Sequence, residues 1–283
     1  MSPPPPIRAC LFDMDGLLLD SEDKYTACVN TVLHAHGRPS LPWSIKAQLQ
    51  GRPGPEAGQI FSAWAKLPIS DAEFLEQQAA EQRRIFPSCK PLPGVETLLQ
   101  RFSRGRVEMA LATSSHERNF RLKTDHLTDL FGVFGKECTI LGDDPRIARG
   151  RGKPCPDIYL LALKAVNGEL ARRREKGEKV GEDVTPAECL VFEDSVPGVE
   201  AGRRAGMQVL WVPHLGLLGE YKGKEKEVLA GRSGMVHAHT AKPSGEGEVE
   251  DDMAIPPGEI DDGWGRMILS LEDFDYASYG IKA

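Results

Sequence analysis

Ile7-Arg8-Ala9-Cys10-Leu11-Phe12-Asp13-Met14-Asp15-Gly16 runs a short apolar stretch straight into two acids and a glycine. A continuous apolar run of this length fits a strand buried on both faces of a parallel sheet. Three more follow at Val107–Ala112, Cys189–Phe192 and Gln208–Val212, with helical patterns between them. Alternating strands and helices predict an α/β fold, a Rossmann-like doubly wound parallel sheet. Such sheets bind ligands beyond the carboxyl ends of their strands. Asp13, Thr113 and the pair Glu193-Asp194 each come directly after a strand, so chemistry is expected there.

Roughly ninety residues separate the first two strands, far more than a crossover needs. The stretch reads as helices over Glu22–His36, Ser44–Leu49, Glu56–Lys66 and Asp71–Ile85, the last opened by a Ser70 cap with Glu73 in capping-box position. Emerging beside the strand tips, this helical module is placed to cover them. The expected organisation is a catalytic core over 1–19 and 94–283 and a helical cap over 20–93. Residues 168–187 and 219–263, charged and glycine-containing, are expected as flexible insertions. Met267–Leu269 is a further strand candidate, followed by a short turn capped by Ser270.

The 283 residues are 40% hydrophobic, enough for a packed core, and a net charge of -7 argues against nucleic acid. The basic run Arg172-Arg173-Arg174 sits among Glu169, Glu175 and Glu178 and reads as a solvated helix face or loop. Six cysteines show neither C-x-x-C nor zinc-ligand spacing, which suits a reduced compartment. Neither a signal-type run nor an apolar stretch of membrane-spanning length is present. A soluble, cytoplasmic protein is expected, a monomer by default.

Each motif has a bland reading beside the chemical one. Asp13-Met14-Asp15-Gly16 could be a turn of solvated acids, or a calcium loop, although Leu17-Leu18-Leu19 lacks the later oxygen ligands. Two acids at this spacing also suit covalent phosphoryl transfer, one attacking phosphorus and one handling protons. Thr113-Ser114-Ser115 could hold a phosphate oxygen or simply cap a helix, with Thr113 on phosphate and a following serine on the cap. Lys153, ahead of Pro154 and Pro156, is a solvated charge or an ammonium fixed beside a phosphate. Asp194 could cap the helix beginning near Pro197. Taken together the balance changes: four carboxylates at one sheet edge against one lysine need a divalent cation, and an all-oxygen set indicates Mg²⁺.

These four elements, in this order, resemble the haloacid dehalogenase-like hydrolase superfamily, in its branch with a helical cap between the first two motifs. The matching stretches are Phe12–Glu22, Ala110–Ser115, Ile140–Pro145 and Cys189–Ala201, continuing through Ala205–Met207, and within the branch the likeness is to pseudouridine-5'-phosphatase-type enzymes. The resemblance implies a small phosphorylated metabolite as substrate, with Asp13 as nucleophile and Asp15 as general acid and base. Mg²⁺ would be held by Asp13, Asp194 and the Asp15 backbone carbonyl, with Glu193 acting through metal-bound water. Thr113, Ser114 and Lys153 would bind the phosphoryl group, and Arg52 in the cap loop is a candidate substrate contact. Burial and neighbouring acids should raise the pKa of Asp15, as an acid role requires. Cys155 stands where relatives carry Asp, and Arg52-Pro53 departs from the usual cap loop.

A sugar phosphomutase is the rival within the superfamily; mutases carry a cap-entry histidine near the position of Tyr25. Dehalogenation conflicts with the presence of Asp15. A silent protein binding partners through the acidic stretch Gly245–Asp252 is the alternative from another class.

Overall fold

The computed structural model describes residues 4–51, 54–105, 107–233 and 257–281. From the N-terminus, β1 (Ala9–Phe12) leads into α1 (Ser21–Ala35), α2 (Trp43–Leu49), α3 (Gly54–Ala65) and α4 (Asp71–Ile85). Then come α5 (Val95–Gly105), β2 (Glu108–Ala112), α6 (Glu117–Thr124), α7 (Thr128–Phe131), β3 (Thr139–Ile140) and α8 (Asp157–Glu175). The chain closes with β4 (Cys189–Glu193), α9 (Val196–Arg204), β5 (Gln208–Trp211), α10 (Leu215–Glu220), α11 (Glu225–Leu229) and β6 (Gly265–Met267).

The six strands form one sheet, ordered β3-β2-β1-β4-β5-β6, and every pairing is parallel. Side chains alternate between two apolar layers. Leu11, Ala110, Val191 and Val209 face a layer built with Tyr159, Ala162 and Val166 of α8 and Val199 of α9. Phe12, Leu111, Phe192 and Leu210 face the other, built with Leu98 and Phe102 of α5 and closed by Phe274 and Tyr279. Phe12 stacks on Phe192 at 4.5 Å between ring centroids. Burial on both faces explains why these strands read as continuous apolar runs.

The helices between β1 and β2 have a core of their own, in which Val29 and Leu33 of α1 meet Phe61 and Ala65 of α3. Phe61 stacks on Phe74 of α4 at 4.5 Å. The Ser70 capping box is formed: Ser70 Oγ accepts from Glu73 N–H at 3.2 Å, and Glu73 Oε2 accepts from Ser70 N–H at 2.8 Å. This insertion touches the core where Trp43 of α2 stacks on His214, the residue before α10, at 4.6 Å.

Three expectations need correction. Residues 168–175 are not a loop: α8 continues to Glu175, because Leu170 is buried and Glu169 pairs with Arg172 one turn on. The arginine run fills the last turn, where positive charge meets the helix's carbonyl end. Within 219–263, α11 forms because Val228 packs into the core; 234–256, including Gly245–Asp252, lie outside the described residues. The last strand begins at Gly265, two residues before the expected start, and Gly265 pairs with Val209. No helix of the described residues is long and apolar enough to cross a membrane.

Candidate active site

Strand register decides which side chains meet. Phe12 lies opposite Phe192 on one side and Leu111 on the other, so one step past the strands Asp13 emerges between Glu193 and the β2 tip. The sheet order reverses between β1 and β4, which is where a ligand crevice opens in such folds. Lys153 is buried there, its Nζ donating to Asp13 Oδ1 at 2.5 Å, Glu193 Oε1 at 2.6 Å and the Ala112 carbonyl at 3.1 Å. Burial pushes the Asp13 carboxyl up and Lys153 pulls it back, while Glu193 and Asp15 add to the rise; the result is about 7.

Glu193 is saturated by the protein. Its Oε1 also accepts from Tyr159 OH at 2.6 Å, and its Oε2 accepts from Ser195 N–H and Oγ, each at 3.0 Å. Ser195 Oγ caps α9 by accepting from Gly198 N–H, so Asp194 is not the cap. A Cβ on Gly198 would lie 1.8 Å from Glu193 Oε1, so only glycine lets α9 start this close.

Asp194 Oδ2 accepts from Gln50 Nε2 at 2.5 Å, a contact reaching from the end of α2, and the Gln50 Oε1 is buried without a partner. Burial first, then Glu193, Asp13 and Glu22, push the Asp194 carboxyl well above the usual range. Oxygens of Asp13, Glu193 and Asp194 lie within 4.8 Å of one another. Counting Asp15 and Glu22, five buried or half-buried carboxylates face three lysines, Lys46, Lys123 and Lys153. Asp194 is the acid whose neighbours supply least positive charge. An all-oxygen set short of positive charge fits a hard divalent cation.

Asp15 is arranged differently. Lys123 of α6, wholly buried, forms an ion pair with Asp15 Oδ1, which also accepts from Ser21 Oγ at 2.6 Å. Asp15 Oδ2 accepts from Ser115 Oγ at 2.7 Å and from Thr113 Oγ1 at 3.5 Å. Burial would raise the carboxyl, but the Lys123 charge and the hydroxyl donors outweigh it and hold Asp15 below its ordinary value. The expected rise is therefore corrected: the decisive neighbour is a cation, not another acid.

Thr113 is fully buried, and its Oγ1 accepts from Ser115 N–H at 3.1 Å; Ser114 is exposed. No serine caps α6: the Glu117 N–H donates to Asp143 at 3.1 Å and 3.2 Å, so Asp143 of the Ile140–Pro145 stretch closes that end. Cys155 is buried, close to Lys153 in sequence. Arg52 lies outside the described residues. Sequence reading missed Lys123, Gln50, Tyr159 and the Lys46–Glu22 pair at 3.2 Å. No local signal marked Lys123, whose helix also carries the exposed pair Arg121–Glu117.

A family model described as haloacid dehalogenase-like hydrolase matches residues 7–206. The chain is 45% identical over 214 residues to the "Probable pseudouridine-5'-phosphatase" of Saccharomyces cerevisiae, covering 76% of this chain and 86% of that one. It is 34% identical over 226 residues to (DL)-glycerol-3-phosphatase 1, mitochondrial, of Arabidopsis thaliana, covering 79% and 70%. A solved HAD hydrolase of family IA, variant 3, from Entamoeba histolytica shares the fold at a TM-score of 0.63, over 96% of this chain and 97% of that one at 18% identity.

Proposed function

The chain belongs to the haloacid dehalogenase-like hydrolases and is a phosphatase, and from that premise we propose that it hydrolyses a small phosphomonoester through an aspartyl phosphate on Asp13. The observation that carries this reading is the convergence of Asp13 and Glu193 on one buried lysine at the sheet's switch point, with an Asp194 oxygen within 4.8 Å of theirs. Asp13 attacks phosphorus, the bond to the leaving oxygen breaks, and Asp15 passes to that oxygen the proton it has taken from the substrate's phosphate group. The ionised Asp15 then removes a proton from water, which attacks phosphorus, releases phosphate and restores Asp13.

Lys123 makes the ionised form of Asp15 the resting one, so the proton for the leaving oxygen arrives with the substrate. A phosphomonoester, with a second pKa of about 6, still carries that proton in part at neutral pH. Lys153 and Thr113 hold the phosphoryl oxygens, and Lys153 orients Asp13. A divalent ion, with Mg²⁺ the best match to the donors, would be held by Asp13, Asp194 and the Asp15 carbonyl, and would offset charge on the phosphoryl group. The insertion α1–α4 acts as a cap that excludes water, since Gln50 already reaches from it to Asp194. Arg52 is a substrate contact on sequence position alone.

The names of the relatives favour pseudouridine 5'-phosphate, with glycerol phosphate and sugar phosphates next. Six buried free cysteines suit a reduced, cytoplasmic setting. The test is phosphate release from p-nitrophenyl phosphate and pseudouridine 5'-phosphate with Mg²⁺, using Asp13→Asn as control. Release by wild type alone is expected; equal slow release by both proteins overturns the reading. An isomerised sugar phosphate in place of free phosphate would establish the mutase instead.

A further inference from the structure

We propose that Lys123 is a positioning residue for Asp15, an assignment that rests on the phosphatase mechanism above. A buried lysine is usually a structural charge that found a partner. Here the partners are too specific for that role alone. The three donors of the ammonium meet three acceptors: Asp15 Oδ1, Ser115 Oγ at 2.6 Å and Tyr25 OH at 3.4 Å. They come from the loop after β1, the tip of β2 and helix α1 of the insertion.

Ser115 shows how the contact acts. Its hydroxyl oxygen accepts from Lys123, so its one proton is directed to Asp15 Oδ2, 2.7 Å away. Lys123 therefore fixes both carboxylate oxygens, Oδ1 directly and Oδ2 through Ser115. The floor beneath the ammonium is aromatic, with the Tyr25 ring at 5.1 Å and the Phe86 ring at 5.4 Å. An apolar side chain of the same length would pack well on that floor, so packing alone gives no reason for a charge. Through Tyr25 the same ammonium links Asp15 to the insertion, so the acid–base group is set only when α1 is in place.

The test is a double-mutant cycle on Mg²⁺-loaded protein: wild type, Lys123→Met, Asp15→Asn and the double variant. Rates are read with glycerol 3-phosphate, whose leaving oxygen needs a proton, and with p-nitrophenyl phosphate, which keeps slow variants measurable. Lys123→Met should lower kcat on glycerol 3-phosphate about 10²-fold, with KM changed by less than about twofold. In the Asp15→Asn background the lysine substitution should change nothing further. Equal losses in both backgrounds, or wild-type rates for Lys123→Met, overturn the assignment. If Lys123→Met does not fold, Ser115→Ala, which breaks only the link to Oδ2, goes through the same cycle. Wild-type rates for Asp15→Asn would sink the mechanism itself, whereas a slow Asp15→Asn with additive losses sinks only Lys123.

Discussion

Asp13 and Asp15 stand two residues apart, each on a buried lysine, and their carboxyls move in opposite directions. On the β4 side, Lys153 divides its charge between Asp13 and Glu193, with Asp194 close by, and Asp13 rises to about 7. On the α6 side, Lys123 serves one carboxylate, Ser21 and Ser115 add hydroxyl donors, and Asp15 falls. Burial is common to both. What differs is how many acids each cation must neutralise. The Asp13 half is short of positive charge and the Asp15 half is not, which is why the proposed metal is assigned to the first.

The largest effect expected from this contrast is at Lys153. Lys153→Met leaves Asp13 and Glu193 buried without their cation, and breaking such a pair costs about 3–5 kcal/mol. The urea midpoint of metal-free protein should fall accordingly, and Mg²⁺ should recover part of the loss. An unchanged midpoint would show that Lys153 does not carry the charge balance.

Next is a dependence on pH with opposite signs in the two halves. The folded pKa of Asp13 is raised, so its contribution to stability is complete below the unfolded value of about 3.9. It is lost as pH rises through about 7. Asp15 is lowered, so its contribution is present above the unfolded value and lost only as pH falls through the folded one. Between about pH 4 and about pH 7 the melting temperature of metal-free protein should therefore decline. Asp13→Asn, or added Mg²⁺, should flatten the decline. A slope that survives both would assign it to some other group.

The smallest effect compares single donors. Tyr159→Phe removes a donor from fully buried Glu193 and should cost about 1–3 kcal/mol. Ser21→Ala removes one from better-supplied Asp15 and should cost about 0.5–1.5 kcal/mol. Chemical unfolding distinguishes them, and equal losses would erase the contrast between the halves.

The sheet was legible because its strands are buried on both faces and so appear as unbroken apolar runs. Thr139–Ile140 was not, since two residues carry no pattern. The end of α8 was hidden by charge: Arg172 to Glu175 read as a loop, though their ion pairs and the helix terminus favour helix. Asp13, Thr113, Glu193 and Asp194 could be read from position, because a residue following a buried strand has only the sheet edge to occupy, whereas Lys153 lies in the loop before α8 and came from the resemblance. Lys123 could not. Its neighbours Arg121 and Glu117 form an exposed surface pair, and nothing local separates a buried ammonium from a solvated one. Its partner Asp15 is distant in sequence, and only the fold brings the two together.

Of the strands in this sheet, the one carrying Asp13 is made first, and it lies in the middle, between β2 and β4. Its second neighbour is synthesised only some 180 residues later, a wait of roughly 10–35 s at ordinary translation rates. Throughout that interval one apolar edge, Ala9 to Phe12, has no strand to pair with. Chaperone demand and the yield of soluble protein should therefore respond most sharply to changes in β4, whose arrival ends the exposure.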